Sequence, residues 1–332
     1  MAIKIYTDAG SNLFKEILDK KGLDITVLPM SVKLGDQEYK CYEDNINVEE
    51  MSKDFYDKMK NGVLTKTSLT NPGFFKDQVE KEISEGNKVI YVSLASGISS
   101  NYHTSQMFAT EINEEHNANL VQVIDSKTAS FGEALIAIYA YDLVKQGLNF
   151  EDIVNMTNEY VYKVRSEFTV DSIKYLANTG RVSKITAAIA RVLSIKPLLY
   201  GSNEGKIEVT AKAHGRNNAI NTLSEQVIRH IKDKNQTVYI AHCNALDEAK
   251  KIELKLNEAG INNVEIYFYD LVTGAHVGPG TLAVFYVGEN RIIEKKSIVD
   301  TIISKIKREP NNWYYISYLA FFYFSDIFLK KW

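Results

Sequence analysis

The chain has 332 residues, 45% hydrophobic and 24% charged, with 39 Lys plus Arg against 42 Asp plus Glu and a formal net charge of −3. That length allows two domains with a sizeable core, and the composition is that of an ordinary globular protein. No basic stripe makes an electrostatic case for a nucleic-acid partner, and two distant cysteines, Cys41 and Cys243, suggest neither a disulfide framework nor a metal cluster. Residues 3–6 enter a strand directly, without a signal-peptide pattern, so a reduced, cytoplasmic protein with no metal or cofactor is expected.

In chain order, residues 4–6 predict a strand that ends in the polar turn Thr7-Asp8-Ala9-Gly10-Ser11-Asn12, with Ser11 or Asn12 capping the next helix. Residues 25–28 and 31–34 predict two strands split by Pro29. A helix over 48–61, capped by Asn47, leads to the hydroxyl-rich stretch 65–73, where Pro72 suits the first turn of a helix reaching about Glu85.

Residues 88–106, KVIYVSLASGISSNYHTSQ, organise this half. Residues 89–94 predict a buried strand, and a helix opens at Tyr102 and ends near His116. Between them lie Ser96, Gly97, Ser99, Ser100 and Asn101. A strand emptying into such a loop at a helix N-terminus can hold an anion, because free N–H groups and the helix dipole converge there. With no Lys or Arg in the loop, hydroxyls and amides would do the holding. The loop is neither a P-loop nor GxGxxG, and Gly97-Ile98-Ser99-Ser100-Asn101 lacks the closing glycine of the hydrolase elbow GxSxG. A plain strand–helix turn capped by its serines is the competing reading.

Residues 120–124 predict a strand ending in Asp125-Ser126-Lys127-Thr128-Ala129-Ser130, followed by a buried helix over 132–147. The repeated strand–loop–helix pattern argues for a parallel sheet with helices on both faces, whose ligands bind at the strands' C-terminal ends. Those ends carry Asp8, Ser11, Ser96, Ser99, Asp125 and Ser126.

The second half predicts a helix over 150–165, a helix stop at Asn178-Thr179-Gly180-Arg181, an alanine-rich helix over 185–195, and strands at 196–199 and 206–210 around a turn. Helices over 215–232 and 245–260 and strands at 237–241 and 264–269 follow. The turn Thr273-Gly274-Ala275-His276-Val277-Gly278-Pro279-Gly280 precedes a closing strand at 282–287. The fold class is α/β with two domains: a parallel-sheet domain at 1–165 and an α/β (α+β) domain at 166–288. Residues 289–332 form an extension. Within it, 292–308 predicts a polar amphipathic helix, and the half-aromatic run WYYISYLAFFYFSDIFLKKW at 313–332 carries Asp326 and falls short of a spanning helix. It reads as a docked or ill-ordered segment, or as an interfacial anchor for transient membrane contact through its aromatics, Lys330 and Lys331.

Seven motifs in register now coincide: Thr7-Asp8 with Ser11; Thr67-Ser68 with Pro72; Ala95-Ser96-Gly97-Ile98-Ser99; Val123-Ile124-Asp125-Ser126-Lys127; Tyr175-Leu176 with Gly180-Arg181-Val182-Ser183; Ile195-Lys196-Pro197-Leu198-Leu199; and Gly274 with His276-Val277-Gly278-Pro279-Gly280. From residue 3 to 288 the set resembles the DegV family. The resemblance implies a two-domain fatty-acid-binding protein, the lipid-carrying subunit of a bacterial fatty acid kinase in phospholipid synthesis. The acyl chain would lie in a tunnel between the domains, and a separate ATP-binding kinase subunit would convert the carboxylate to an acyl phosphate. By position, Thr67, Ser68, Ser96 and His276 match the family's carboxylate-binding residues. Gly97, Ser99, Gly278 and Gly280 support the two loops, and Arg181 matches an arginine near the kinase-docking face. The chain departs at Leu69-Thr70, where the family usually has Gln-Pro, and at Ala95, where it has a serine. The competing functions are a serine hydrolase of acyl esters, with Ser96 or Ser99 as nucleophile, His276 as base and Asp8 or Asp125 as its orienting acid, and a binding module for another small carboxylate or phosphate.

Overall fold

The computed structural model describes residues 2–42, 47–182, 194–289 and 291. Its first sheet is wholly parallel, ordered β2-β1-β6-β7, from β1 (Ile3–Asp8), β2 (Ile25–Leu28), β6 (Lys88–Ser93) and β7 (Val121–Asp125). These short apolar runs are buried on both faces, as parallel strands are. A three-stranded antiparallel sheet, β4-β3-β5, joins β3 (Met30–Leu34), β4 (Gln37–Cys41) and β5 (Thr65–Thr67).

Helices α1 (Lys15–Lys21), α2 (Val48–Lys60), α3 (Pro72–Ser84), α4 (Asn101–Glu115), α5 (Phe131–Lys145) and α6 (Phe150–Val161) belong to this half. Asn47, Asn71 and Asn149 cap α2, α3 and α6 with side-chain oxygens. Ser11 and Asn12 do not cap α1. Ala9–Ser11 is a 3-10 turn, Asn12 is left-handed, and Phe14 stands at the N-cap without a side-chain bond. Asn12 is used elsewhere: its Nδ2 donates to Phe268 O, and its Oδ1 accepts from the Asp270 amide and the Ser130 hydroxyl.

The second sheet is mixed, ordered β10-β9-β8-β13-β11-β12. Its strands are β8 (Val164–Thr169), β9 (Ile195–Gly201), β10 (Ile207–His214), β11 (Val238–His242), β12 (Val264–Phe268) and β13 (Leu282–Val287). Only the β11/β12 pair is parallel. Helices α7 (Lys174–Asn178), α8 (Arg216–His230), α9 (Leu246–Glu258) and α10 (Leu271–Val277) accompany it.

Three expectations are corrected here. The helix over 150–165 stops at Val161, and 164–169 is a strand; the boundary expected between 165 and 166 therefore falls inside β8. The 282–287 strand does not close an edge but runs in the sheet interior, antiparallel to β8 and β11. The glycine-rich turn at 273–280 begins as helix α10, capped by the Asp270 carboxylate at 2.7 Å from the Thr273 amide. Of the expected 185–195 helix, Ser194 lies in a turn and Ile195 opens β9; residues 185–193, the 292–308 helix and the aromatic run at 313–332 lie outside the described residues.

Helix α5 packs against β1 and β6 of one sheet and β8 and β13 of the other. Phe131 at its start stacks on Tyr239 of β11 with centroids 4.6 Å apart. Apolar residues on nearly all sides fit this position. Both sheets belong to one compact unit, Met1–Arg291. No helix among the described residues is long and apolar enough to cross a membrane.

Candidate ligand-binding site

The loops leaving β6 and β7 meet the face of the second sheet around a cavity of about 110 Å³. Leu94, Ile98, Phe168, Leu176 and Phe285 contribute apolar wall; Thr67, Ser68, Ser99, Lys127, Arg181 and His276 contribute polar groups.

Thr67 and Ser68 arrive on β5 and the residue after it. Val32 pairs with Thr67, and the Ser68 amide donates to Ser31 O at 2.9 Å. The Thr65 hydroxyl donates to Ala275 O on α10, which brings Thr67 Oγ1 within 3.1 Å of His276 Nε2. The hydroxyls do not cap α3, since Asn71 does that. Ser68 Oγ accepts from the Ser31 amide at 2.9 Å.

His276 sits in the last turn of α10. Burial first, and the Arg181 charge second, lower its pKa to about 4, so the ring is neutral at pH 7. Its Nδ1 is buried with no hydrogen-bond partner among the described residues. The glycines around it fit tightly. A Cβ on Gly274 would overlap the Tyr56 hydroxyl, and one on Gly278 the Tyr175 ring. At Gly280, with φ +79°, it would lie 2.8 Å from Asp171 Cβ.

The Ser96–Ser99 loop differs from the simple anion cradle. The Ser96 amide donates to Asp125 Oδ1, the Ile98 and Ser99 amides to Ala95 O, and the Asn101 amide to Ser99 Oγ. Those donors are spent within the loop and on Asp125. Cations instead reach it from elsewhere. Lys127 Nζ lies 2.6 Å from Asp125 Oδ2 and 3.3 Å from Ser96 Oγ, and Arg181 Nε donates to Ile98 O at 3.2 Å. Burial alone would raise the Asp125 carboxyl, but the Lys127 ammonium and the Ser96 and Lys127 donors hold it below its ordinary value. Gly97 is required because a Cβ there would overlap the Gly205 carbonyl on the β9–β10 turn.

The cavity thus gathers Thr67, Ser68, Ser99, Arg181 and His276. Ser96 is not among its lining residues; it faces a separate, more open pocket with Tyr102, His103 and Tyr162. Lys127 lines both and was given no role by sequence reasoning, although it ends the Asp125-Ser126-Lys127 motif. Arg181, expected near a docking face, contributes to the cavity wall.

Among the described residues, the contacts a serine hydrolase with Ser96 or Ser99 and His276 needs are not made. His276 Nε2 engages Thr67, while Ser96 Oγ meets Lys127 and Ser99 Oγ meets the Asn101 amide. The Asp8 carboxylate accepts from the Gly10 and Leu94 amides, the Tyr91 hydroxyl and Asn101; the Asp125 carboxylate is taken by Ser96 and Lys127. No group of three or more His, Cys, Asp or Glu among the described residues could hold a metal ion.

Comparison with known proteins agrees with this architecture. Residues 2–289 match the family model described as an uncharacterised protein, DegV family. A DegV domain-containing protein of Clostridium perfringens is 32% identical over 289 residues, covering 86% of this chain and 98% of the relative. The crystal structure of a fatty acid binding DegV family protein from Streptococcus agalactiae has a TM-score of 0.75 at 27% identity, covering 87% of this chain and all of that one. The Streptococcus pneumoniae Fatty Acid Kinase (Fak) B3 protein, loaded with linoleic acid, shares the fold at a TM-score of 0.71 and 19% identity, covering 87% of this chain and all of that one. The sheet order, the motifs in register and the match over nearly the whole described body establish that this chain belongs to the DegV family.

Proposed function

We propose that the chain binds one long-chain fatty acid and presents its carboxylate to a separate ATP-dependent kinase subunit, which forms the acyl phosphate. The observation that carries this reading is the cavity itself: a largely apolar wall with the hydroxyls of Thr67, Ser68 and Ser99, a neutral histidine and an arginine gathered on it. The S. agalactiae relative is a fatty acid binding protein, and the S. pneumoniae fold neighbour is a fatty acid kinase component.

Burial of a chain contributes about 0.8 kcal/mol per CH₂, so a long acyl group supplies on the order of 10 kcal/mol before binding costs. Each charge-assisted hydrogen bond to the carboxylate adds roughly 1.5–3 kcal/mol. The tail sets affinity and the polar groups set orientation. Thr67, Ser68 and His276 are the proposed carboxylate contacts, with Ser99 and Arg181 beside them. Ser96 acts at one remove, through Lys127 and Asp125. In this role the chain holds substrate and supplies no phosphoryl-transfer chemistry, in a cytoplasmic setting where its partner and ATP are available.

The test is acyl phosphate formation by the fatty-acid-loaded full chain, a fatty acid kinase subunit and ATP. The reading predicts product that depends on all three. A chain that binds fatty acid tightly yet yields no acyl phosphate with the cognate kinase subunit of its source would overturn the partner half of the proposal.

A further inference from the structure

Arg291 lies beyond the family match, which ends at 289, and beyond the expected C-terminal domain, yet it is built into the body of the fold. It is 2% exposed, and its amide donates to Tyr162 O at 2.8 Å. Its guanidinium donates to Val164 O (Nε, 2.8 Å), Val161 O (Nη2, 2.7 Å) and Lys127 O (Nη1, 2.6 Å), with longer contacts to Ser126 O at 3.4 Å and Ser202 O at 3.5 Å. All of these acceptors are backbone carbonyls, from the end of α6, the start of β8, the β7–α5 loop and the β9–β10 turn. Burial lowers the guanidinium toward about 10, still charged at neutral pH.

Two of those segments form the cavity wall. The β7–α5 loop supplies Lys127, Thr128 and Ala129; the β9–β10 turn supplies Gly205 and Lys206, with Ile207 at the start of β10. The loop is held in an uncommon backbone, with Lys127 and Ser130 both at φ +54° without being glycine. Such a conformation persists only where the surroundings over-determine it, and Arg291 binds the carbonyls of Ser126 and Lys127 at that place.

We propose that Arg291 is a positioning residue for the ligand cavity: a five-carbonyl latch that fixes the β7–α5 loop against the β9–β10 turn and so sets the width of the site. The inference rests on the cavity being the fatty-acid site. A planar guanidinium presents five N–H donors in a fork, whereas the ammonium of lysine is a single centre with three. Lysine can therefore keep the charge but cannot span all five carbonyls.

The experiment uses the full chain as wild type, Arg291→Met, Arg291→Lys and Leu256→Ala. Leu256 is buried in a second core cluster beneath α8 and α9, so its truncation lowers stability without touching the latch. Oleate release is followed by fluorescence competition below every melting temperature, and amide exchange is read in 126–130 and 202–207. Arg291→Met is expected to release oleate at least 10-fold faster and to exchange faster in both segments. Arg291→Lys is expected to be intermediate, and it remains the informative variant if the methionine form does not fold. Leu256→Ala is expected to keep wild-type release. Wild-type release and exchange in both Arg291 variants would overturn the latch, and so would equal loosening in Leu256→Ala, which would reduce the effect to stability alone. If the wild type binds no oleate, the fatty-acid reading fails, and the exchange comparison alone decides whether Arg291 holds the two segments.

Discussion

Replacing Gly278 with alanine separates backbone strain from side-chain crowding at the cavity's edge. Gly278 has φ 82° and ψ 171°, a region essentially reserved for glycine, where another residue costs about 1–3 kcal/mol. The added Cβ would also overlap the Tyr175 ring, which is anchored by its hydroxyl to Met59 O at 3.2 Å and cannot simply swing away. Overpacking of this kind costs about 1–3 kcal/mol. The two effects together give about 2–6 kcal/mol, against a total stability of roughly 5–15 kcal/mol. Gly86→Ala is the reference: φ is +79°, but nothing lies within 4 Å of the new Cβ, so only the left-handed backbone cost of about 1–2 kcal/mol applies. At about 2 °C per kcal/mol, the lower end for domains near this size, Gly278→Ala should melt roughly 4–12 °C below wild type and Gly86→Ala roughly 2–4 °C below. Circular dichroism melts of both, with urea titrations, supply the comparison. Because Leu176, His276 and Val277 line the cavity beside this contact, Gly278→Ala should also weaken fatty-acid binding, while Gly86→Ala should not. A Gly278→Ala protein no less stable than Gly86→Ala would refute the crowding argument.

Thr67→Val removes the hydroxyl that pairs with His276; with one charge-assisted bond worth roughly 1.5–3 kcal/mol, the oleate Kd should rise about 10-fold or more by calorimetry. Ser96→Ala, at a residue that lines the neighbouring pocket and not the cavity, should change that Kd less than about 3-fold; a loss as large as that of Thr67→Val would put Ser96 on the carboxylate. The pKa values of His276 and His242 both fall to about 4 through burial, below the ordinary 6.5. Their stabilising contribution is complete above pH 6.5 and is lost as pH falls toward 4, because the unfolded state then binds protons that the folded state refuses. Neither ring should show an NMR titration between pH 5.5 and 8. Asp270 has the opposite sign: burial raises it to about 7, so its contribution to stability is present at low pH and lost as pH rises through 7. Asp270→Asn should therefore flatten the urea stability profile between about pH 5 and 7, where the unfolded carboxyl is ionised and the folded one still holds its proton, and an unchanged slope would contradict the assignment.

The parallel sheet was legible because β1, β6 and β7 are short apolar runs followed by turn residues. Strand β8 was not, because its core-facing positions include a charged pair. Arg165 and Glu167 are buried, joined at 2.8 Å and shared with the Tyr286 hydroxyl, so Val164–Thr169 looks like the polar continuation of α6. Helix α10 hid behind its glycines: Gly274 marks the close approach of Tyr56, not a turn. Five residues that the motifs single out, Thr67, Ser68, Ser99, Arg181 and His276, line one cavity, although Ser99 was expected as loop support and Arg181 at a docking face. Which pocket Ser96 lines could not be read, since the tight turn around Gly97, packed on the Gly205 carbonyl, decides it. The supporting cations Lys127 and Arg291 were equally hidden, because their partners are distant in sequence: Arg291 reaches carbonyls 89 to 165 residues away.

The central claim is that this cavity carries a fatty acid, and native mass spectrometry of the full chain purified from a bacterial host, followed by denaturation and lipid analysis, tests it most directly. The account predicts one co-purified fatty acid per chain, released on denaturation and identifiable by its mass. A chain that emerges empty and takes up no added fatty acid would contradict it.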